Sequence, residues 1–406
     1  MCGRGVHVLV IRSKALLRAT LLYGALAAMT SACAQPPPAP AEEPSRVPMP
    51  LGGDLPHIAL LLPVDSSTFR RHAEALRDGL LAASKIPDPP TLPIRVYPVG
   101  EDPKQAVASY KKATESGARL VIGPLLRSAA GAVAAGAISV PTLLLNAPES
   151  ALPNKANLYV ISLQIETEAR QAAQLAFREG RRNAYTVVGE SQLLRRVNRA
   201  FLEEFIKLGG KHPGEFLYNT SPAELARLKQ AVESRAADMA FLALDAHQAR
   251  GVRATLGALA LYASSQAYSG DPGAADLAGI RILDLPWLLQ RDHPAVRIYP
   301  RQDYRGDTDL DRLYALGIDA WRIGQALLAR HSDITLDGVT GKLTLGRDRQ
   351  FARELASIRL GDKAPDPPPK PAATVTPVKP AGAVTPAPVK PAGAATIPAP
   401  APAKKP

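Results

Sequence analysis

The chain has 406 residues, of which 46% are hydrophobic, and a formal net charge of +12 at pH 7. This length and apolar content allow a sizeable buried core and favour more than one domain. Four of the net positive charges lie in residues 1–32 and four more in residues 364–406, which leaves +4 for the part between them. The basic composition therefore does not indicate a nucleic-acid partner, and we expect none.

Residues 1–32 have the pattern of an export signal. Four basic residues and no acidic residue precede an apolar run at residues 21–29; they are Arg4, Arg12, Lys14 and Arg18. The run is too short to span a bilayer, and a basic region followed by a short apolar region is typical of a signal peptide. We therefore predict that residues 1–32 direct export.

The signal ends at residues 30–33, which read TSAC and resemble the lipobox of bacterial lipoproteins. Only Cys2, in the basic region, accompanies Cys33, so Cys33 is the predicted lipidation site and the first residue of the mature protein. Two acyl chains hold a protein stably on a bilayer, and Ala34 predicts an anchor at the periplasmic face of the outer membrane. The alternative is ordinary signal-peptidase cleavage at residues 32–34, which gives a soluble periplasmic protein.

Proline-rich segments flank the predicted core. Residues 33–56 form a tether of low hydrophobicity, which favours extended polyproline II. Residues 363–406 are predicted to be a disordered tail rich in proline, alanine and lysine, with the repeat PVKPAGA at 377–383 and 388–394. A basic arm for an anionic cell-wall polymer is the alternative interpretation of this tail.

Between the flanks, short apolar runs alternate with amphipathic stretches. The runs lie at residues 58–62, 120–122, 142–145, 185–188 and 239–244. Continuous apolar runs of this length are typical of parallel strands covered on both faces. The stretches after Ser66 and Ser191 have apolar residues at helical spacing, and Ser191 is a suitable N-cap. The alternation predicts an α/β fold of two doubly wound, mostly parallel sheets.

Motifs for catalysis or for metal binding are absent from the sequence. It contains no HExxH or CxxC spacing, no G-x-S-x-G elbow, no GxGxxG and no phosphate-binding loop. Residues 338–342 read GVTGK, but their glycines are too close for a phosphate loop, and a β-hairpin is the better interpretation. Residues 109–112 match S-x-x-K, but no K-T-G accompanies them. We expect no enzyme activity, no cofactor and no metal.

Several segments carry a resemblance to known families. Residues 58–63, 76–79 and 121–125 resemble the first half of type I periplasmic binding proteins, which are bilobed with crossovers between the lobes. A second, more specific set is similar to the C-terminal domain of the LppC family; it comprises residues 122–126, 143–146, 284–289, 316–321 and 338–343. We call these five the motif segments. The resemblance covers about residues 56–360.

The resemblance implies a domain at residues 57–362 whose sheets are joined by crossovers. We expect lobe 1 to comprise about residues 57–162 and 262–330, and lobe 2 about residues 163–261 and 331–362. Well-known members of the family carry an additional N-terminal helical-repeat domain. Only about twenty residues separate Cys33 from the first predicted strand, so we expect this chain to lack that domain.

Ligands of open parallel sheets bind at the carboxyl ends of the strands. By likeness to the amino-acid binders, the candidate cleft residues are Ser128, Asn146, Ser150, Glu190 and Asp245. Alternative interpretations remain for three of them: Ser128 caps a helix, Asn146 ties a loop, and Asp245 caps the helix that follows it.

Two tryptophans lie in the motif segments. Trp287 is a candidate partner contact, because tryptophan is enriched in interface hot spots; the alternative places it in the core between the lobes. Trp321 lies in a predicted helix with Asp319, and we expect it to belong to the core.

The family resemblance implies an outer-membrane lipoprotein that binds and activates a class A penicillin-binding protein and so regulates peptidoglycan synthesis. Peptidoglycan itself is a second candidate partner. The alternative function is that of a periplasmic solute-binding protein, which delivers an amino acid or a similar small ligand to an ABC transporter.

Overall fold

The computed structural model describes residues 55–86, 92–219, 221–270 and 275–362, all of which belong to one compact unit. The predicted signal peptide, Cys33, the tail at 363–406 and nearly all of the tether lie outside these residues. No helix in the described part is long and apolar enough to cross a membrane.

The first sheet is parallel and has five strands in the order β2-β1-β3-β4-β5. Its elements are β1 (His57–Leu62), α1 (Arg70–Ala83), β2 (Ile94–Pro98), α2 (Pro103–Glu115), β3 (Ala118–Ile122), α3 (Arg127–Ala135), β4 (Thr142–Leu144) and β5 (Leu158–Val160). Every residue of β1 is buried, because helices cover both faces of the sheet.

The next part of the chain builds a second parallel sheet. Its elements are α4 (Ile165–Arg178), β6 (Asn183–Val188), α5 (Gln192–Lys207), β7 (Lys211–Leu217), α6 (Pro222–Ser234), β8 (Met239–Ala243), α7 (Ala246–Leu256), β9 (Ala260–Ala263) and β10 (Ile280–Asp284). Short 3₁₀ turns lie at Ser265–Ala267 and Ala275–Leu277.

The last part of the chain returns to both sheets. It contains α8 (Pro286–Leu289), α9 (Pro294–Arg297), α10 (Thr308–Leu328), β11 (Thr335–Gly338), β12 (Gly341–Leu345), β13 (Phe351–Glu354) and β14 (Ala356–Arg359). Helix α10 packs on α1 and β3, strands β11 to β13 form a small antiparallel sheet, and β14 pairs antiparallel with β10. The second sheet therefore has the order β14-β10-β9-β8-β6-β7. We call the first sheet with α1–α3 and α10 lobe 1, and the second sheet with α4–α7 lobe 2.

The predicted fold class is confirmed. The five apolar runs coincide with β1, β3, β4, β6 and β8, and the GVTGK segment joins β11 to β12 in a hairpin. The hydroxyl of Ser191 accepts a hydrogen bond from the backbone N–H of Leu194, so it caps α5 as predicted.

One lobe boundary differs from the prediction. Residues 262–284 were expected in lobe 1, but β10 pairs with β9 and β14 in the sheet of lobe 2. The chain crosses to lobe 1 only after Asp284. Periodicity shows that a strand is buried, but it does not show which sheet the strand joins, because pairing depends on contacts between distant segments.

Helices α1 and α10 approach each other closely at two glycines. A Cβ atom on Gly317 would overlap the carbonyl oxygen of Leu76, and one on Gly79 would overlap the carbonyl oxygen of Tyr314. In each case the obstructing atom belongs to the backbone of the opposite helix and has no rotamer with which to yield. Gly317 lies in a motif segment, so this residue of the motif is explained by helix packing.

We therefore predict that Gly317→Ala lowers the free energy of unfolding by about 3 kcal/mol, because the two helices must separate. Gly131 in α3 is the matched control, since its Cβ would meet only Pro148 at 3.8 Å. Gly131→Ala should stabilise the protein by about 0.5–1 kcal/mol through helix propensity. Urea unfolding of both variants checks this, and effects of the same sign would contradict the packing argument.

Candidate functional site

A buried ion pair joins the two lobes. Arg312, in the second turn of α10, donates from Nη2 to Asp284 Oδ2 at 2.7 Å and from Nε to Oδ1 at 3.2 Å. Asp284 ends β10 and is fully buried, while Arg312 is 7% exposed. The same carboxylate accepts the backbone N–H of Leu285 at 2.7 Å. A paired and hydrogen-bonded charge of this kind is tolerated in an interior, but either partner alone is not.

Further polar groups lie around this pair. Arg312 Nη2 also donates to the carbonyl oxygen of Ser265 at 3.3 Å, and the Ser265 hydroxyl donates to Glu168 Oε2 at 2.6 Å. Glu168 lies in the first turn of α4 and is 3% exposed. Buried Arg353 of β13 completes the group, and its charge acts on both Glu168 and Asp284. We call Glu168, Ser265, Asp284, Arg312 and Arg353 the interlobe junction.

The pKa of Glu168 is raised. Burial raises its pKa from the ordinary value of 4.5 to about 7, and the negative charge of Asp284 adds to this effect. The charges of Arg312 and Arg353 and the Ser265 hydroxyl act in the opposite direction. A proton therefore resides on Glu168 at mildly acidic pH, where an exposed glutamate is ionised.

Asp319 is a third buried carboxylate, and it holds the turn between β11 and β12. It accepts hydrogen bonds from the backbone N–H groups of Val339 (3.1 Å) and Thr340 (2.8 Å) and from the Thr340 hydroxyl (2.6 Å). Burial raises its pKa, while the hydrogen bonds of Thr340 and the charge of Arg322 lower it. Since the backbone N–H of Trp287 donates to the carbonyl of Val339 at 2.9 Å, the hairpin is joined to α8.

Trp287 is not an exposed contact residue. Its side chain is fully buried, its indole Nε1 donates to Asp311 Oδ1 at 3.1 Å, and the Arg301 guanidinium lies 3.9 Å above its ring. The prediction of a partner contact at Trp287 is therefore wrong, because α8 turns the ring inward against Tyr314 of α10. Trp321, 5% exposed, belongs to the core as predicted.

The two lobe 2 cleft candidates line one cavity of about 450 Å³ at the carboxyl edge of the second sheet. Glu190 follows β6 and Asp245 follows β8, and both side chains are exposed. Asp245 also caps α7, because its carboxylate accepts the backbone N–H of Gln248 at 2.8 Å. Burial and the charge of Asp245 raise the pKa of Tyr218 in the same cavity. No basic side chain is among the described residues that line it.

The three lobe 1 candidates are not among the residues that line this cavity. Asn146 donates from Nδ2 to the carbonyl of Leu125 at 3.2 Å and so ties two loops together. Ser128 is exposed within α3, whose N-cap position is Leu126, so the interpretation of Ser128 as a cap is wrong. Ser150 is exposed in the loop after β4. Elsewhere in the described residues, no cluster of three histidine, cysteine or acidic side chains could hold a metal.

A comparison with known families matches most of the described residues. The family described as "LppC putative lipoprotein" matches residues 53–242 and 227–362. The chain belongs to the LppC family. The matched region contains all five motif segments, and two of them supply Asp284 and Asp319.

Curated relatives are named penicillin-binding protein activator LpoA. The protein from Pantoea ananatis is 29% identical over 67% of this chain and 47% of its own length. The protein from Edwardsiella piscicida is 30% identical over 68% of this chain and 46% of its own length. The chain thus spans about half the length of the curated relatives it matches.

Solved structures confirm the bilobed fold. The LpoA C-domain from Haemophilus influenzae, described as a regulator of PBP1A, is 23% identical, with a TM-score of 0.62 over 75% of this chain and 98% of that domain. A protein from Chromobacterium violaceum, described as a "putative branched-chain amino acid ABC transporter", is 36% identical, with a TM-score of 0.66 over 75% of this chain and 99% of its own.

Sequence reasoning missed three charged residues of the junction. Glu168 and Arg312 lie within the first two turns of their helices, where charged side chains are ordinarily solvated, and Arg353 lies in a strand with alternating exposed residues. Asp284 was recognised only as part of a motif segment. A charged residue at an otherwise apolar position of α10 was the one available signal for Arg312.

We predict that Glu168→Gln makes the protein less sensitive to rising pH. The folded state holds a proton on Glu168 that the unfolded state releases above pH 4.5, so ionisation costs the wild type stability as pH rises towards 7. Relative to the wild type, the variant should gain about 2 kcal/mol of unfolding free energy between pH 5 and pH 8.

Glu166→Gln provides the control, because Glu166 lies two residues earlier in α4 and pairs with Arg196 at the surface. Urea unfolding at a series of pH values measures both variants. The assignment fails if the stability difference between Glu168→Gln and the wild type is independent of pH, or if Glu166→Gln shows the same rise.

Proposed function

We propose that this protein is an outer-membrane lipoprotein that binds and activates a class A penicillin-binding protein, and so regulates peptidoglycan synthesis. The observation that carries the proposal is the LppC match over residues 53–242 and 227–362, with relatives named penicillin-binding protein activator LpoA. Since this chain spans about half the length of those relatives, the proposal assigns the activating role to the part they share with it.

The proposed action is binding without chemistry. In the described residues, buried Asp284, Arg312 and Asp319 hold elements together through the ion pair of Arg312 with Asp284 and the hydrogen bonds of Asp319 to Thr340. A protein that regulates an enzyme by binding needs a surface of constant shape. The junction holds the two lobes in one relative position, and the lobes form that surface. We therefore infer a regulator and not an enzyme.

The lipid anchor is assigned to Cys33. The family is one of lipoproteins, and Cys33 follows a signal-like segment and small residues. Mass spectrometry of the mature protein purified from membranes should find an acylated N-terminal Cys33. An unmodified N-terminus at Gln35 would refute the anchor. Fractionation of a Cys33→Ala variant should find it outside the outer membrane.

A solute-binding role is the competing proposal, and one solved relative is named as a transporter for branched-chain amino acids. The cavity with Glu190 and Asp245 offers carboxylates to an ammonium group, but it has no basic side chain for the carboxylate of an amino acid. Thermal unfolding with a panel of amino acids separates the two functions. Stabilisation that is lost in Glu190→Gln would favour the solute-binding role.

The activator proposal predicts a direct effect on the partner. Adding the purified protein to a class A penicillin-binding protein of the same organism should raise the rate at which it forms peptide cross-links in peptidoglycan. The variant Gly131→Ala should activate as well as the wild type, because it leaves the packing intact. A solute-binding protein of the same fold is the negative control.

An unchanged cross-linking rate at saturating concentrations of this protein would contradict the activator function. Sedimentation of the mixture reports binding independently of the rate. Binding without activation would indicate a scaffold and not an activator. If neither binding nor activation is found, the class A penicillin-binding protein is not the partner.

A further inference from the structure

A second cavity of about 270 Å³ lies at the opposite edge of lobe 2, where the parallel strands begin. It is rich in arginine, and no function assigned above involves it. Its charged lining residues are Arg181, Arg253, Arg281, Arg359, Glu179 and Asp238. Four positive and two negative charges leave the cavity with two net positive charges.

Both carboxylates of this cavity are already engaged. Glu179 accepts the hydroxyl of Tyr262 and, at 2.6 Å, Arg281 Nη2. Asp238 accepts the backbone N–H groups of Arg182 at 2.8 Å and Asn183 at 3.1 Å. They hold the start of the second sheet in place, and their two negative charges are already included in the net charge of the cavity.

The arginines themselves are held in position but not saturated. Arg253 donates from Nε to the carbonyl of Ala278 and from Nη1 to that of Gly257. The Nε atoms of Arg181 and Arg281 are buried and have no hydrogen-bond partner in the described part of the chain. Buried donors of this kind are normally satisfied by a water, an ion or a ligand.

Two of the arginines face each other directly. Arg281 of β10 and Arg359 of β14 are cross-strand partners on neighbouring antiparallel strands. Like charges in this position destabilise a sheet unless a counter-charge lies between them. Glu179 pairs with Arg281, whereas the one ion pair of Arg359 within the described residues is an exposed contact with Asp362 at 3.9 Å. An anion bound next to Arg281 and Arg359 would therefore reduce the repulsion between their charges.

We propose that this cavity binds a dianionic phosphate group. Two negative charges match the net charge of the lining, and the planar guanidinium fork matches phosphate oxygens in a bidentate way. The group can belong to a soluble phosphate monoester or to the headgroup of phosphatidic acid, which is itself a phosphate monoester, and both present the same oxygens. The site is distinct from the acidic cavity of Glu190 and Asp245 and independent of the activator function.

Phosphorus NMR with glycerol 1-phosphate and with inorganic phosphate tests the site on the purified protein. Both signals should broaden on addition of the wild type, and calorimetry should give a dissociation constant that rises about tenfold in Arg359→Gln and in Arg181→Gln. These two arginines make few internal contacts, so the variants should fold. Arg199→Gln, on the exposed face of α5 in the same lobe, is the control of equal charge.

The source of the phosphate is distinguished with vesicles of phosphatidylcholine that contain or lack phosphatidic acid. If the protein sediments only with vesicles that contain phosphatidic acid, and Arg359→Gln abolishes this, the ligand is a lipid headgroup. If the protein sediments with neither kind of vesicle but binds glycerol 1-phosphate, the ligand is soluble. No binding of either soluble phosphate at millimolar concentration, or equal weakening by Arg199→Gln, would overturn the site.

Discussion

The ion pair between Arg312 and Asp284 is the interaction on which the rest of the structure depends. It connects a helix of lobe 1 to a strand of lobe 2, and both side chains are buried. Removing such charges from water is costly, and the cost is offset only when geometry and additional hydrogen bonds are good. The backbone N–H of Leu285 and the carbonyl of Ser265 supply those bonds. A displacement of the lobes would break the bonds from Arg312 to Asp284 and to Ser265 together, so the pair restricts the angle between the lobes.

Three of the five motif segments, 284–289, 316–321 and 338–343, are joined to one another by hydrogen bonds, and one of them supplies Asp284 of this pair. Asp284 takes part in the pair, Asp319 holds the turn with Val339 and Thr340, and the carbonyl of Val339 accepts the backbone N–H of Trp287. Segments separated by as many as 50 residues thus meet at one place between the lobes. The resemblance to the LppC family therefore rests on residues that determine the fold, and it predicted the fold for that reason.

The sequence predicted local structure well, and long-range partners poorly. Apolar runs and the cap at Ser191 located strands and helices, because these features depend on residues close in the chain. The assignment of β10 to lobe 2 and the burial of Trp287 depend on pairing between distant segments. Glu168 illustrates the limit: its hydroxyl partner is Ser265, 97 residues away, and nothing near Glu168 in the chain indicates that it is buried.

Asp284 and Asp319 of the motif segments are buried and hydrogen-bonded inside the protein, so the residues that contact a partner belong to a different set. Exposed charge is the remaining source of specificity, and in lobe 2 it is unevenly divided. The carboxyl edge of the sheet carries Glu190 and Asp245 beside a cavity without basic residues, whereas the opposite edge carries the arginine-rich cavity. A lobe with opposite charge at its two ends orients in the field of a charged surface. An anionic surface would attract the arginine edge and leave the acidic edge facing away from it.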